Sequence, residues 1–389
     1  MAPSPTVLRG ATGAHDGIDR RSFLRSLAAG AVVSTSLAAC SSGVVTGAQP
    51  GGAPSPKSAD GLFLAARRHG VLFGCGVNLD TLRQPDLLAA HAVESGLVVP
   101  MGLGPWRVTH PGPEVWEFRV LDAMWDWASS AGLPMRGVHL LWHQNMPDWF
   151  GQVVTSDNAE QYLRAHITAL MTRYHGRFHS WNPVNEAVFP SDGRADGLRH
   201  SPWLQLMGPE YIAKAFAIAA EVDPSATLVY NEFGIEDDTG AADLKRRHTL
   251  ELLTNLRRQG IPVHALGIQA HVGVSYTFRA DTLRAFMDAV ADLGLQVYIT
   301  ELDVKDQLAP ADIAARDAAV AAKYREFLDL MLGHPAVTTV MTWGLSDRIT
   351  WLSRQAPRAD GLAVRPLPLD AQLQRKPAWA AIREALEGR

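Results

Sequence analysis

The chain has 389 residues, is 47% hydrophobic and 20% charged, and carries a net charge of −4. That is a globular composition with apolar side chains enough for one large core or two smaller ones. Acids and bases are interspersed and no basic run lies beyond the N-terminus, which argues against a nucleic-acid surface. Two cysteines rule out a disulfide framework. Of the eleven tryptophans, most are expected in the core, since aromatic rings bury well; the rest are candidates for flat platforms in a cleft.

Residues 1–40 read as an export signal. "DRRSFLRSLAAGAVVSTSLAAC" carries the pair Arg20-Arg21, then Phe23-Leu24-Arg25, then an apolar run from Leu27 to Ala39. The run is too short and too rich in small residues to span a bilayer. It fits a twin-arginine signal, and its end, "LAAC", resembles a bacterial lipoprotein box. Cys40 is then the expected lipidation site and the only expected contact with a membrane; the alternative is a plain cleaved signal with an incidental cysteine. The cell envelope is the expected location, lipid-anchored or secreted. Residues 41–60 form a Ser/Gly/Pro tether without a core. Cys75, in the apolar stretch "VLFGCGV", reads as a small buried hydrophobe.

From 61 to 389 a single domain is expected. Apolar runs occur at 71–77, 97–100, 135–142, 178–184, 227–230, 265–270, 296–300 and 337–343. Between them lie stretches such as "EVWEFRVLDAMWDWASSAG" and "DLKRRHTLELLTNLRRQG", apolar at every third or fourth position, the helical period. Continuous hydrophobicity in the strands indicates a parallel sheet covered by helices. Eight such units predict an α/β fold of the (β/α)8 TIM-barrel type, with active-site residues at the C-terminal ends of the strands. Those ends read Trp142-His143-Gln144, Asn185-Glu186, Asn231-Glu232, Gln269-Ala270-His271 and Glu301-Leu302-Asp303. The eighth is Trp343, with Asp347 and Trp351 beyond it. Five consecutive ends with ionisable groups are unusual for a structural barrel.

The ends of the fourth and seventh strands face each other across such a mouth. Glu186 and Glu301 there would come within about 5–6 Å, the spacing of a retaining glycosidase. One carboxylate must stay ionised as nucleophile and the other protonated as acid. Asn185 is placed to donate to a sugar 2-hydroxyl, His271 to hold Glu301, and Asp303 to orient His271. Trp343 and Trp351 supply flat walls for sugar rings. Metal chemistry through His143, His271 and the two glutamates is the weaker alternative, because no His-x-His pair is present. No cofactor is expected.

The strings "LLWHQNMPDWF", "WNPVNEAVF", "LGIQAHV", "YITELDV" and "TWGLSDRITWL", with "SPWLQLMGPEYIAKAF" and "RPLPLDAQLQRKPAWAAI", resemble glycoside hydrolase family 10, the endo-β-1,4-xylanases, over about 65–387. The resemblance implies a (β/α)8 barrel and a retaining mechanism with Glu186 as acid/base and Glu301 as nucleophile. It implies that His143, Asn185, Gln269 and His271 line the subsite of the glycosyl intermediate, under Trp343 and Trp351. Asn231 and Glu232 are expected to stand behind these contacts.

One segment departs from the family. After the second strand the family carries a stretch like Glu-Asn-Glu-Met-Lys-Trp, which binds hydroxyls of the two sugars on the non-reducing side of the cut. Here "PMGLGPWRVTHP" puts Gly102, Leu103 and Pro105 where Asn, Glu and Lys are expected. Trp106 still aligns and is placed with the substrate-binding residues. Arg107 and His110 either contact a substituent of the substrate or face solvent. Asn182 stands where the family often has Asp. The expected substrate is a β-1,4-xylan or related oligo- or polysaccharide. The alternatives are a non-xylan β-glycoside, or a surface glycan-binding lipoprotein with weak catalysis. A monomer is expected.

Overall fold

The computed structural model describes residues 60–389; Cys40 and the signal and most of the tether therefore lie outside the described residues. Nine strands, all paired in parallel, make up the sheet: β1 (Leu72–Val77), β2 (Leu97–Pro100), β3 (Met135–Leu141), β4 (Phe178–Val184), β5 (Thr227–Glu232), β6 (Ala265–Ile268), β7 (His271–Gly273), β8 (Gln296–Lys305) and β9 (Val337–Thr342). β1 pairs with both β2 and β9, and β6 pairs with β8, so the sheet closes into an eight-stranded barrel. β7 is a short continuation of β6 after a break at Gln269-Ala270. A long helix follows each barrel strand, from Pro85–Glu94 after β1 to Pro377–Glu387 after β9.

The helices form where the sequence periodicity places them. In Arg119–Ser130 the buried side chains are Leu121, Met124 and Ala128, one face of a helix. Gly240–Arg258 begins at Thr239, whose hydroxyl caps the Ala242 amide. Buried Glu94 ties the first described helix to the C-terminal segment. It accepts from the Leu62 amide (3.0 Å), the Trp379 indole (2.9 Å) and Arg375 (2.8 Å).

Two boundaries differ from the apolar runs. β8 runs five residues past 300, because β7 pairs with it there, His271 opposite Asp303. Glu301 and Asp303 therefore belong to the strand rather than to the loop beyond it. In β3, Arg136 pairs with Ser180 but His139 pairs with Asn182, so three steps on β3 match two on β4. This bulge turns both Arg136 and His139 toward the same face, the barrel interior.

The interior is divided. On the β9–β1–β2 side it is apolar, with Leu72, Leu97, Val99 and Met341 packed together and Trp343 above them. On the β3–β5 side it is polar, with Arg136, His139, Ser180 and Asn231. Cys75 faces the helices, fully buried, with Thr342 Oγ1 at 3.3 Å from its sulfur; burial pushes its thiol up to about 12.

Candidate active site

Glu186 follows β4 with φ = 56°, a left-handed backbone that costs a non-glycine residue about 1 kcal/mol or more. Two bonds hold it. Its amide donates to the Asn231 carbonyl (3.0 Å), and Arg199 Nε donates to its own carbonyl (2.8 Å). The turn directs the carboxyl inward, where only 7% of the residue is exposed. Ala270, with φ = 63°, is bent in the same way at the break between β6 and β7. Gln269 before the bend and His271 after it both point to the mouth.

A chain of side-chain amides joins the two glutamates. Asn185 Nδ2 donates to Glu186 Oε1 at 3.1 Å. Asn231 Nδ2 donates both to Asn185 Oδ1 (2.9 Å) and to Glu301 Oε1 (2.8 Å). The orientation of Asn231 is set by Thr300, whose hydroxyl donates to its Oδ1 at 2.6 Å. A glycine makes room for this: a Cβ on Gly267 would lie 2.3 Å from Asn231 Oδ1.

The two carboxyls sit in different surroundings. Burial pushes the Glu186 pKa up and the charge of Glu232 adds to this, against the Gln269 amide and the nearby Trp142 indole. Gln269 Nε2 donates to Glu186 Oε1 at 3.0 Å. A buried carboxyl of raised pKa keeps its proton at a pH where an exposed one is ionised. Glu301 instead accepts at both oxygens, from Asn231 and from His271 Nε2 at 3.3 Å. Burial works against a charged His271, but Asp303 and Glu301 outweigh it and lift its pKa to about 10. His271 is thus an imidazolium at neutral pH, with Nδ1 donating to Asp303 Oδ1 at 3.0 Å. Trp351 Nε1 donates to the other Asp303 oxygen at 2.6 Å. The rings of Trp351 and Trp343 lie 4.8 and 6.4 Å from the His271 ring.

Because the folded pKa of His271 is above its ordinary 6.5, its charge stabilises the fold fully below pH 6.5. That contribution is lost as pH rises through about 10. Asp303→Asn removes the carboxylate that faces Nδ1. The His271 pKa should then fall by about 1–3 units, while the alkaline limb of the rate profile, set by Glu186, should stay where it is. An imidazole NMR titration alongside the pH profile checks this; a His271 that still titrates near its original pH would contradict the arrangement.

Glu232 stands behind Glu186, fully buried. Lys245 Nζ is 2.8 Å from its Oε1, and Tyr230 Oη (2.7 Å) and the Val188 amide (3.1 Å) donate to Oε2. This pair anchors the backbone that follows Glu186. Glu232→Gln leaves the Lys245 charge buried without its partner and should cost about 3–5 kcal/mol. Urea unfolding measures it, and the double variant Glu232→Gln/Lys245→Met should recover much of the loss. A single-variant loss within the ±0.5 kcal/mol or so of an ordinary surface change would mean the pair is not structural.

His143 lies beside this group. Burial and the Arg199 charge hold its pKa down to about 4, so it is neutral, and its Nδ1 has no protein partner among the described residues. The indole Nε1 of neighbouring Trp142 is likewise buried, and its polar contact is with the Glu186 carboxyl.

Trp106 is a correction. It is 2% exposed, stacked on His166 at 4.0 Å and walled by Phe150 and Trp203, and its indole donates to the Leu140 carbonyl at 2.7 Å. A ring enclosed on both faces cannot stack on a sugar; Trp106 holds the strand-two loop to β3. His110 meets neither of its two expectations: it is 1% exposed, with its ring stacked on Trp116 at 3.8 Å. Arg107 is exposed, its guanidinium 3.4 Å from the Met146 carbonyl.

Sequence reading assigned no role to Trp142, Arg199 or Lys245. The first had a signal, as the residue before His143 at a strand end. The other two reach the site from a loop and a helix, where nothing in the sequence marks them.

Comparison with known proteins agrees with this geometry. The sequence pattern of glycosyl hydrolase family 10 matches residues 61–385. A β-1,4-xylanase of Dictyoglomus thermophilum is 34% identical over 261 residues, 64% of this chain and 70% of that one. Endo-1,4-β-xylanase B of Thermotoga neapolitana is 30% identical over 298 residues, 76% of this chain and 81% of that one. Endo-1,4-β-xylanase A of Thermoanaerobacterium saccharolyticum is a much longer protein, and this chain spans 22% of it at 34% identity. Among solved structures, xylanase 10B of Thermotoga maritima superposes with a TM-score of 0.76 at 28% identity, over 85% of this chain and 98% of that one. With the family pattern running through nearly all of the described residues, on the same barrel, the chain belongs to glycosyl hydrolase family 10.

Proposed function

We propose that this protein is a retaining endo-β-1,4-xylanase. The observation that carries the reading is the contrast between two linked carboxyls: Glu186 buried with its pKa raised, and Glu301 receiving a donor at each oxygen, one of them an imidazolium. Family membership and the names of the relatives supply the substrate class.

In the first step a Glu301 oxygen attacks the anomeric carbon. The bond from that carbon to the leaving sugar oxygen breaks, and Glu186 passes its proton to that oxygen. In the second step a water attacks the same carbon from the other face and gives a proton to Glu186. The bond to Glu301 breaks, and the configuration is retained. His271 and Asn231 hold Glu301 in line, and neutral His143 and Gln269 orient hydroxyls and acid.

The deciding experiment is product analysis on plain xylan, glucuronoxylan, arabinoxylan, mixed-linkage glucan and xylo-oligosaccharides, with Glu301→Ala as blank. Release of xylo-oligomers is expected. Silence on every xylan from a folded protein would reject the xylan reading and send the search to other β-glycosides.

For residues 1–40 we propose twin-arginine export with lipidation at Cys40, supported by the paired arginines and "LAAC". Metabolic labelling with a fatty acid should mark the wild type and not Cys40→Ala. Equal labelling of both would refute the anchor.

A further inference from the structure

Glu186, at the end of β4, marks the side of the mouth toward which the leaving group departs. In an eight-stranded barrel the strand opposite β4 is β9, with β1 and then β2 beside it. Sugars on the non-reducing side of the cut must run out over that sector.

Among the described residues the sector offers few free hydrogen-bonding side chains. Its inward face at the mouth is Trp343, Gly76 and Met101. The Met101 sulfur lies so close over Gly76 that a Cβ there would be 2.3 Å from it. Met101 is 9% exposed, and Leu103 next to it is 5% exposed and packed in the core. Most polar groups nearby are engaged with the protein. Asn78 Oδ1 caps the short helix Leu79–Leu82, accepting from the Thr81 amide (2.9 Å) and hydroxyl (3.0 Å). Ser346 donates to the Asp370 carbonyl at 2.6 Å. Asp347 is paired with Lys376 at 2.8 Å and accepts from the Leu367 amide at 2.9 Å. On the β3 side, by contrast, Trp142 acts on the Glu186 carboxyl, and His143 Nδ1 is buried with no partner among the described residues.

Given the retaining chemistry proposed above, we infer that this protein recognises one sugar on the non-reducing side of the cut and grips the next one only by apolar contact, so that its favoured substrates are β-xylosides held by the cleaved unit and by the sugars on its reducing side. The preceding sugar meets a tryptophan face and a thioether edge. A sugar ring keeps its hydroxyls hydrated over such a surface and gains little beyond partial stacking. Lengthening the substrate on that side therefore adds little to transition-state binding. Internal cuts remain allowed, since none of the described residues closes the sector.

The test compares kcat/KM for 4-nitrophenyl β-xyloside and 4-nitrophenyl β-xylobioside with the wild-type protein, using Glu301→Ala as blank. The disaccharide should be preferred by less than about tenfold, the weight of at most one neutral hydrogen bond. A larger preference would overturn the inference, because it requires polar contacts that the β9–β1–β2 sector does not supply. Absence of Glu301-dependent release from both glycosides would overturn the retaining reading itself, a separate failure from a large ratio.

Discussion

Glu301→Ala should lose turnover by on the order of 10⁶-fold, the scale seen when a covalent nucleophile is removed, while folding normally. Its carboxylate is the acceptor for Asn231 and His271, and no other acid among the described residues accepts from both. The alanine leaves a small gap on the face from which Glu301 attacks. Added azide should enter that gap, attack the anomeric carbon of an activated aryl xyloside, and yield the α-glycosyl azide. Product of β configuration, or activity within tenfold of wild type, would show that another group is the nucleophile.

Glu186→Ala should separate the two chemical steps. With a poor leaving group, such as another sugar, loss of proton donation should lower kcat/KM by about 10²–10⁴-fold. With a nitrophenyl glycoside the departing oxygen needs no proton, so the first step should stay fast. The second step then lacks its base and the glycosyl-enzyme should accumulate, seen as a burst of phenol followed by a slow steady state. Azide should relieve that stall and give the β-glycosyl azide, opposite to the product from Glu301→Ala. Equal losses on both substrate types, without a burst, would take the acid/base role away from Glu186. In the wild type the raised pKa of Glu186 keeps it protonated above the usual carboxyl range, so activity should fall on the alkaline side as it ionises.

The barrel was legible because parallel strands covered on both faces are continuously apolar, and each such run sits between helical periods. The site was legible for a related reason: polar residues that end an apolar run, like Asn185-Glu186 and Gln269-Ala270-His271, need a use. What the sequence hid falls into two kinds. One is tertiary choice. Trp106 lies in the loop after another strand, β2, yet neighbouring rings from distant segments, His166 and Trp203, enclose it. The other is backbone detail. Left-handed turns at Glu186 and Ala270 are held by bonds from elsewhere, including Arg199, and neither position carries the glycine that would announce such a turn. The length of β8 also depended on a partner, β7, that is three residues long.

The irregular pairing of β3 has a consequence for how this protein can change. Between Arg136 and His139 the strand carries one residue more than its neighbour β4 needs, and side chains on a strand alternate with period two. Removing one residue between them would leave two steps on each strand, so alternation would still turn His139 inward, opposite Asn182. Adding a residue there, or removing one between His139 and Leu141, would instead put Trp142 and His143 out of step with Glu186. Substitutions along β3 alter one contact each, whereas such a change of length re-addresses the run up to the mouth. Loss of one residue should therefore be tolerated at the bulge and not farther along the strand, and libraries that shuffle the barrel should place their joints after Asn145 rather than within β3.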